Sequence, residues 1–294
     1  MNRPGAWLAA TGLALAIVAR AAPAAPLTVR DDSGQTLTLP APAQRAVALS
    51  PHLAELVFAA GAGDRLVGVM RFSAYPPAAA RLPVIGDAFA INVEAIAALK
   101  PDLLLLWQSG VNPRQQQRLP VLGLPIYRNE IHSVEAMAET LRRLGRLFGT
   151  SAVADAAAAQ TEARWTALRA RYARRTPVRV FYQLWHDPLM TVNRNHLIDQ
   201  AISACGGINV FAQQPTLTPT VSWEAAVAAD PQVVLTGSGP EAPPRLEPWR
   251  RFQRVAAVRN DRLIALDGHR LALMTPRFVD GAQALCEAID SARR

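Results

Sequence analysis

Lysine is nearly missing from this chain. Lys100 is the only one in 294 residues, so the excess of 31 Lys and Arg over 23 Asp and Glu is carried almost wholly by arginine. Charge of either sign is sparse, at 18% of residues against 50% hydrophobic, which excludes a disordered polyelectrolyte. Two cysteines exclude a four-thiolate zinc site and a scaffold of several bridges; one disulfide or two thiols stay open. Signatures of catalysis are absent as well. There is no G-x-S-x-G elbow, Walker loop or H-E-x-x-H pair, and Gly61-Ala62-Gly63 lacks the third glycine of a dinucleotide fingerprint. No catalytic residue and no resident metal or cofactor is therefore expected.

The first residues have a different character. Arg3 is followed by the apolar stretch Ala6–Val18, whose 13 residues fall short of the roughly 20 that a membrane-spanning helix needs. Ala19-Arg20-Ala21 and Ala22-Pro23-Ala24 then fit a small-residue cleavage site, so residues 1–22 read as a secretory signal peptide. Its removal takes Arg3 and Arg20 and lowers the net charge from +8 to +6. The expected location is the bacterial periplasm, where an oxidising environment favours a bridge between Cys205 and Cys286 over free thiols.

Beyond Leu27 the pattern is short apolar strands alternating with helices, the mark of parallel α/β architecture. Leu27–Pro40 reads as a hairpin broken at Asp32-Ser33-Gly34. Arg45–Ser50, Leu66–Met70, Leu103–Trp107, Val121–Tyr127 and Val178–Gln183 read as strands, and Pro51–Ala60 as a helix that stops at Gly61. Ser133–Arg175 contains no proline and predicts a helix, a break near Gly149, and a second helix of about 23 residues, some 35 Å long.

A motif recurs across this stretch. Asn92-Val93-Glu94 begins a short apolar helix that reaches Pro101-Asp102 and a strand; Ser222-Trp223-Glu224 begins another that reaches Pro231-Gln232 and a strand. Glu94 and Glu224 are 130 residues apart, as are Pro101 and Pro231. The equal spacing predicts two related lobes with a ligand cleft between them.

In parallel α/β lobes ligands sit at the carboxyl ends of strands. That rule draws attention to His52, His186 and His269 among the five histidines, and to Phe72, Tyr75, Phe89, Trp107 and Trp185 among the aromatics. Aromatics at strand ends offer a flat apolar surface for a large ring ligand. The arginines of 164–175 are interleaved with Glu162, Trp165 and Leu168, as on a solvated helix face, and no nucleic-acid recognition motif accompanies them.

Together these residues resemble the periplasmic substrate-binding proteins of ABC importers that have a rigid helical backbone, the class serving vitamin B12, ferric siderophores and haem. The resemblance covers residues 27–290 and rests on Leu27–Pro40 with Asp32 and Gly34, on the two Glu segments, and on Cys205-Gly206-Gly207-Ile208-Asn209-Val210-Phe211. Leu49-Ser50-Pro51 with Glu55-Leu56, Tyr75-Pro76-Pro77 and the cysteine pair bring it nearest to the vitamin B12 binders of that class.

The resemblance implies two Rossmann-like lobes, at 27–132 and 176–294, each with a parallel sheet. A connecting segment at 133–175 would include a long backbone helix, and would allow little lobe motion. It implies capture of a corrinoid, cobalamin, and its delivery to the permease and ATPase of an importer by a monomer that performs no chemistry and binds no nucleic acid. Haem or a ferric siderophore is the alternative cargo; a secreted metal-dependent hydrolase is the reading from another class. Carried over residue by residue, Glu94 and Glu224 would dock onto permease arginines and Cys205–Cys286 would be a disulfide. Phe72, Trp107 and the loop His269, Arg270, Leu271, Ala272, Leu273 would meet the ligand. Two pocket tryptophans of the class stand here as Ala88 and Thr218, and an acidic loop residue as His269. Phe89 and Trp185, with His186 beside it, are the neighbours expected to restore the lost stacking.

Overall fold

The computed structural model describes residues 26–239 and 243–294; the expected signal peptide lies outside them. None of the described helices is long and apolar enough to cross a membrane. A hairpin of β1 (Leu27–Arg30) and β2 (Thr36–Leu39) precedes the first lobe, which contains β3 (Ala46–Ala48), α1 (Pro51–Ala59), β4 (Leu66–Val69), α2 (Val93–Ala98), β5 (Leu103–Trp107), α3 (Pro113–Gln116) and β6 (Ile126–Asn129). Helices α4 (Val134–Phe148) and α5 (Ser151–Tyr172) follow. The second lobe contains β7 (Val178–Gln183), the small hairpin β8 (Trp185–His186) and β9 (Leu189–Met190), α6 (Leu197–Ala204), β10 (Gly207–Asn209), α7 (Trp223–Ala228), β11 (Val233–Ser238), α8 (Ala256–Arg259), β12 (Leu263–Asp267), α9 (Gly268–Ala272) and α10 (Phe278–Ser291).

Both four-stranded sheets are parallel, in the orders β4-β3-β5-β6 and β10-β7-β11-β12. Numbered within its own lobe, each sheet has strand order 2-1-3-4. The duplication reaches the backbone. Asn92 and Ser222 accept hydrogen bonds from the N–H groups of Ala95 and Ala225, capping α2 and α7 alike. Lys100 and Asp230, again 130 positions apart, both take a left-handed conformation, at φ 48° and 40°, just before the proline that ends each helix.

Period-two alternation assigns the sheet faces. Ala46, Ala48, Leu103 and Leu105 face one core, whereas Val47, Leu104 and Leu106 face another; Val180 and Tyr182 divide from Phe181 in the same way. Strands covered on both faces read as continuous apolar runs, as Leu103–Leu106 does. The first of these cores does not stop at the lobe boundary. It continues through α4 and α5 to Val233, Leu235, Phe278 and Leu285 of the second lobe. The 22 residues of α5 span about 33 Å and touch α1 and α4 on one side, α6 and α10 on the other. Helices α4 and α5 approach closely because Gly145 has no side chain to meet Ala154.

Two expectations are corrected. Residues 121–127 are not one strand: a 3₁₀ turn, Leu119–Leu122, ends at Gly123, and β6 begins only at Ile126. Pro120 and Pro125 donate no ladder hydrogen bond, which delays the strand. Residues 269–273 are not an open loop, because Asp267 accepts a hydrogen bond from the His269 N–H and starts the short helix α9.

Candidate functional site

In an open parallel sheet of this order the ligand crevice lies where connections leave in opposite directions, between the first and third strands. In this protein the two crevices face each other. Residues after β3 (Leu49, Ser50, Pro51) and the end of β5 (Trp107) line a cavity of about 440 Å³ in the first lobe. Leu184 after β7 and Gly237–Gly239 at the end of β11 line one of about 300 Å³ in the second. Pro51 and Phe72 border both cavities, so they form one cleft between the lobes.

The first-lobe wall is aromatic, and each ring is held in place. Trp107 is half-buried; its Nε1 donates to Glu130, which also accepts from the N–H and hydroxyl of Ser109. His52 meets the Trp107 ring edge-on at 5.1 Å, and Gly110 leaves room for the ring where any side chain would overlap it. Phe72 has φ 68°, a costly conformation for an aromatic residue, and stands 64% exposed in the cleft. Phe89 is 83% exposed on a loop whose Phe89 and Ala90 N–H groups donate to Asp87, itself 3.5 Å from Arg71.

The second-lobe wall contains His269, Ala272 and Leu273. The imidazole of His269 lies over Gly239, so close that a β-carbon there would be 2.9 Å from its Nε2. Thus Phe72, Phe89, Trp107, His269, Ala272 and Leu273 are brought together. The other expected liners are not. Leu271 is buried in the shared core, and Arg270 pairs with Asp267 at 3.1 Å. Trp185 and His186 lie against each other at a tilt of 41° on the β8–β9 hairpin, outside both cavities.

His52 is a structural residue rather than a ligand to anything in the cleft. Its Nε2 donates to Asn129 Oδ1 at 3.0 Å, and its Nδ1 accepts from Ser50 at 3.1 Å. Asn129 in turn donates to Asp32 and Thr140, and Asp32 pairs with Arg143. Desolvation lowers the His52 pKa to about 4, although the Asn129 hydrogen bond opposes the shift. His196 caps α6 through its Nδ1, and desolvation, aided by His132, lowers it to about 4 as well. Among the described residues no group of three His, Cys, Asp or Glu side chains could hold a metal ion.

Glu94 and Glu224 stand exposed in the first turns of α2 and α7. Their surroundings differ. Glu224 is held below the usual carboxylate range by its own backbone N–H, then by Ser222, with Arg251 adding to the effect. Arg251 itself lies over the rings of Trp223 and Phe252, at 5.0 and 4.6 Å.

One contact between the lobes is not legible in the sequence. Glu55 of α1 is 4% exposed and receives two hydrogen bonds of 2.8 Å from Arg277, at the start of α10. The Tyr75 ring lies 3.8 Å from the same guanidinium. A carboxylate within the apolar run Leu53–Phe58 was the available signal, but nothing local identifies a partner 222 residues away.

Residues 47–269 match the family model described as periplasmic binding protein. The chain is 36% identical to the vitamin B12-binding protein of Vibrio cholerae over 88% of this chain and 93% of that one. The Yersinia pestis vitamin B12-binding protein is also 36% identical, with 87% and 90% covered. Among solved structures, the periplasmic vitamin B12-binding protein BtuF of Vibrio cholerae superposes with a TM-score of 0.78 at 34% identity, over 86% of this chain and 99% of that one. The periplasmic haem-binding protein RhuT of Roseiflexus sp. RS-1 gives 0.74 at 28%, over 85% and 99%.

Proposed function

The chain belongs to the periplasmic binding protein family, and from that premise we propose that it captures a corrinoid, cobalamin, between its lobes and hands it unchanged to an ABC importer. The observation that carries this reading is the pair of facing crevices with Phe72, Phe89 and Trp107 on one wall, in a chain 36% identical to vitamin B12-binding proteins. Residues 1–22 act as the export signal, and 133–175 bridge lobes at 27–132 and 176–294. The flat face of a macrocycle stacks on the rings, and His269, Ala272 and Leu273 close on it from the other side. Glu94 and Glu224, one per lobe, meet arginines of the permease and fix the orientation of docking.

Titration of the exported protein with cyanocobalamin, followed by heat and by the visible bands, tests this. Saturable binding with a band shift is expected at micromolar concentration; neither heat nor shift would overturn the corrinoid reading. Haem is the second reading, favoured by one imidazole at the cleft and by 28% identity to a haem-binding relative. It requires a Soret shift on adding haem that is lost in His269→Ala.

A further inference from the structure

Beside the two cavities of the cleft lies a third, of about 250 Å³, at the junction of the lobes. It shares Pro51, Phe72, His269 and Leu273 with the second-lobe cavity, so a ring bound there has its rim at this compartment. Its chemistry is unlike that of the aromatic wall. Glu55, Ser73 and Tyr75 come from the first lobe, Asp267 and Arg277 from the second.

Two features define what it accepts. The charges cancel in pairs: Glu55 with Arg277 through two hydrogen bonds, and Asp267 with Arg270 at 3.1 Å. A group with net charge placed here would lose part of its hydration without gaining a counter-ion of its own. Yet hydrogen-bonding capacity remains. Ser73 is 6% exposed, and its hydroxyl has no partner among the described residues. Arg277 engages Glu55 through Nε and Nη2, which leaves its Nη1 to donate elsewhere. The Asp267 carboxylate accepts, and the Ser73 hydroxyl both donates and accepts.

We propose that this compartment binds a carboxamide on the rim of the macrocycle. Its carbonyl accepts from Arg277 or Ser73 and its NH₂ donates to Asp267 or Ser73, with no net charge buried. The inference rests on the corrinoid reading and deepens it. A corrin carries carboxamides around its rim, whereas haem carries carboxylates, so the compartment selects between the two cargoes.

The test compares cyanocobalamin with its separated monocarboxylic acids, each with one propionamide hydrolysed, by calorimetry on the exported protein. At least one isomer is expected to bind about tenfold more weakly than the parent, the cost of an uncompensated charge. That ratio should shrink in Asp267→Asn, which removes a negative charge and keeps the oxygen that caps α9. Ser73→Ala should weaken cyanocobalamin about three- to tenfold without lowering the melting temperature of the free protein, because the hydroxyl has no partner to lose. All isomers binding within about twofold of the parent would overturn the compartment while leaving the corrinoid reading intact. So would a Ser73→Ala variant that melts lower and binds as before. No heat with cyanocobalamin itself would overturn the corrinoid reading, and the compartment's assignment with it.

Discussion

The two lobes share a strand order, a cap motif and even the left-handed residue that ends the motif's helix, yet they are fastened by different means. The second lobe is stapled. Cys205, at the end of α6, is bonded to Cys286 of α10, both fully buried. The first lobe contains no cysteine. In its place a buried chain of hydrogen bonds runs from Ser50 through His52 and Asn129 to Asp32 and Arg143, tying α1, β6, the hairpin and α4 together. One topology is thus stabilised by two different sets of interactions, and the lobes should respond differently to reductant and to loss of a single polar group.

Reductant should have the largest effect that falls on one lobe alone. The bridge spans 81 residues, and chain-entropy reasoning assigns it about 4 kcal/mol. Hydrogen exchange of β7 and β11 should accelerate in dithiothreitol while β3 and β5 keep their protection. If both sheets open together, the shared core makes the lobes one cooperative unit and the contrast fails.

Acid should act on both lobes alike, since each has one histidine depressed to about 4, His52 in the first and His196 in the second. Unfolded imidazoles take up a proton near pH 6.5, and the native ones refuse it until about pH 4. Stability is therefore full above pH 6.5, declines as the pH falls, and levels off below 4, at a cost approaching ~3 kcal/mol per histidine. Urea unfolding at pH 7 and 4.5 measures the loss, and His52→Gln should remove the first lobe's share only.

Asn129→Ala should cost about 2 kcal/mol by stranding His52 and Asp32, with thermal melting as the measurement and exchange confined to the first lobe. The smallest effect on stability, near zero, is expected for Glu94→Ala combined with Glu224→Ala, which touches exposed groups only. Cobalamin affinity should stay unchanged while uptake through the importer falls; undiminished uptake would remove the docking role. Tested singly, the two variants ask whether the Arg251 beside Glu224 makes the tips unequal.

Much of this was legible in the residues. Most strands of the first lobe, β7, the 130-residue duplication, the break at Gly149 and the long helix follow from local periodicity and from glycine and proline, which act within a few residues. The place of Trp107 at the crevice was legible because a tryptophan ending a run of four leucines has its ring at the strand's carboxyl end. The failures share a cause. Leu271 and Ala272 are neighbours in sequence, but the helical turn started by Asp267 sends one into the core and the other into the cleft. Trp185 follows a strand end as Trp107 does, yet the β8–β9 hairpin carries it away. The Glu55–Arg277 pair and the Glu130 that orients Trp107 depend on contacts between distant segments, which no local pattern encodes.

The unbroken core that passes from one sheet through α5 to the other bears on how a cargo can be let go. Two bodies joined by a loop swing at almost no energy, and a partner learns that one is loaded because it has shut. Two bodies sharing packed interior behave as the arms of a spring calliper. Their separation changes only by straining side chains across the whole waist. If the exposed tips of α2 and α7 dock as proposed, force applied there would reach the crevice as leverage, and the grip on a cargo would be loosened by elastic work done from outside.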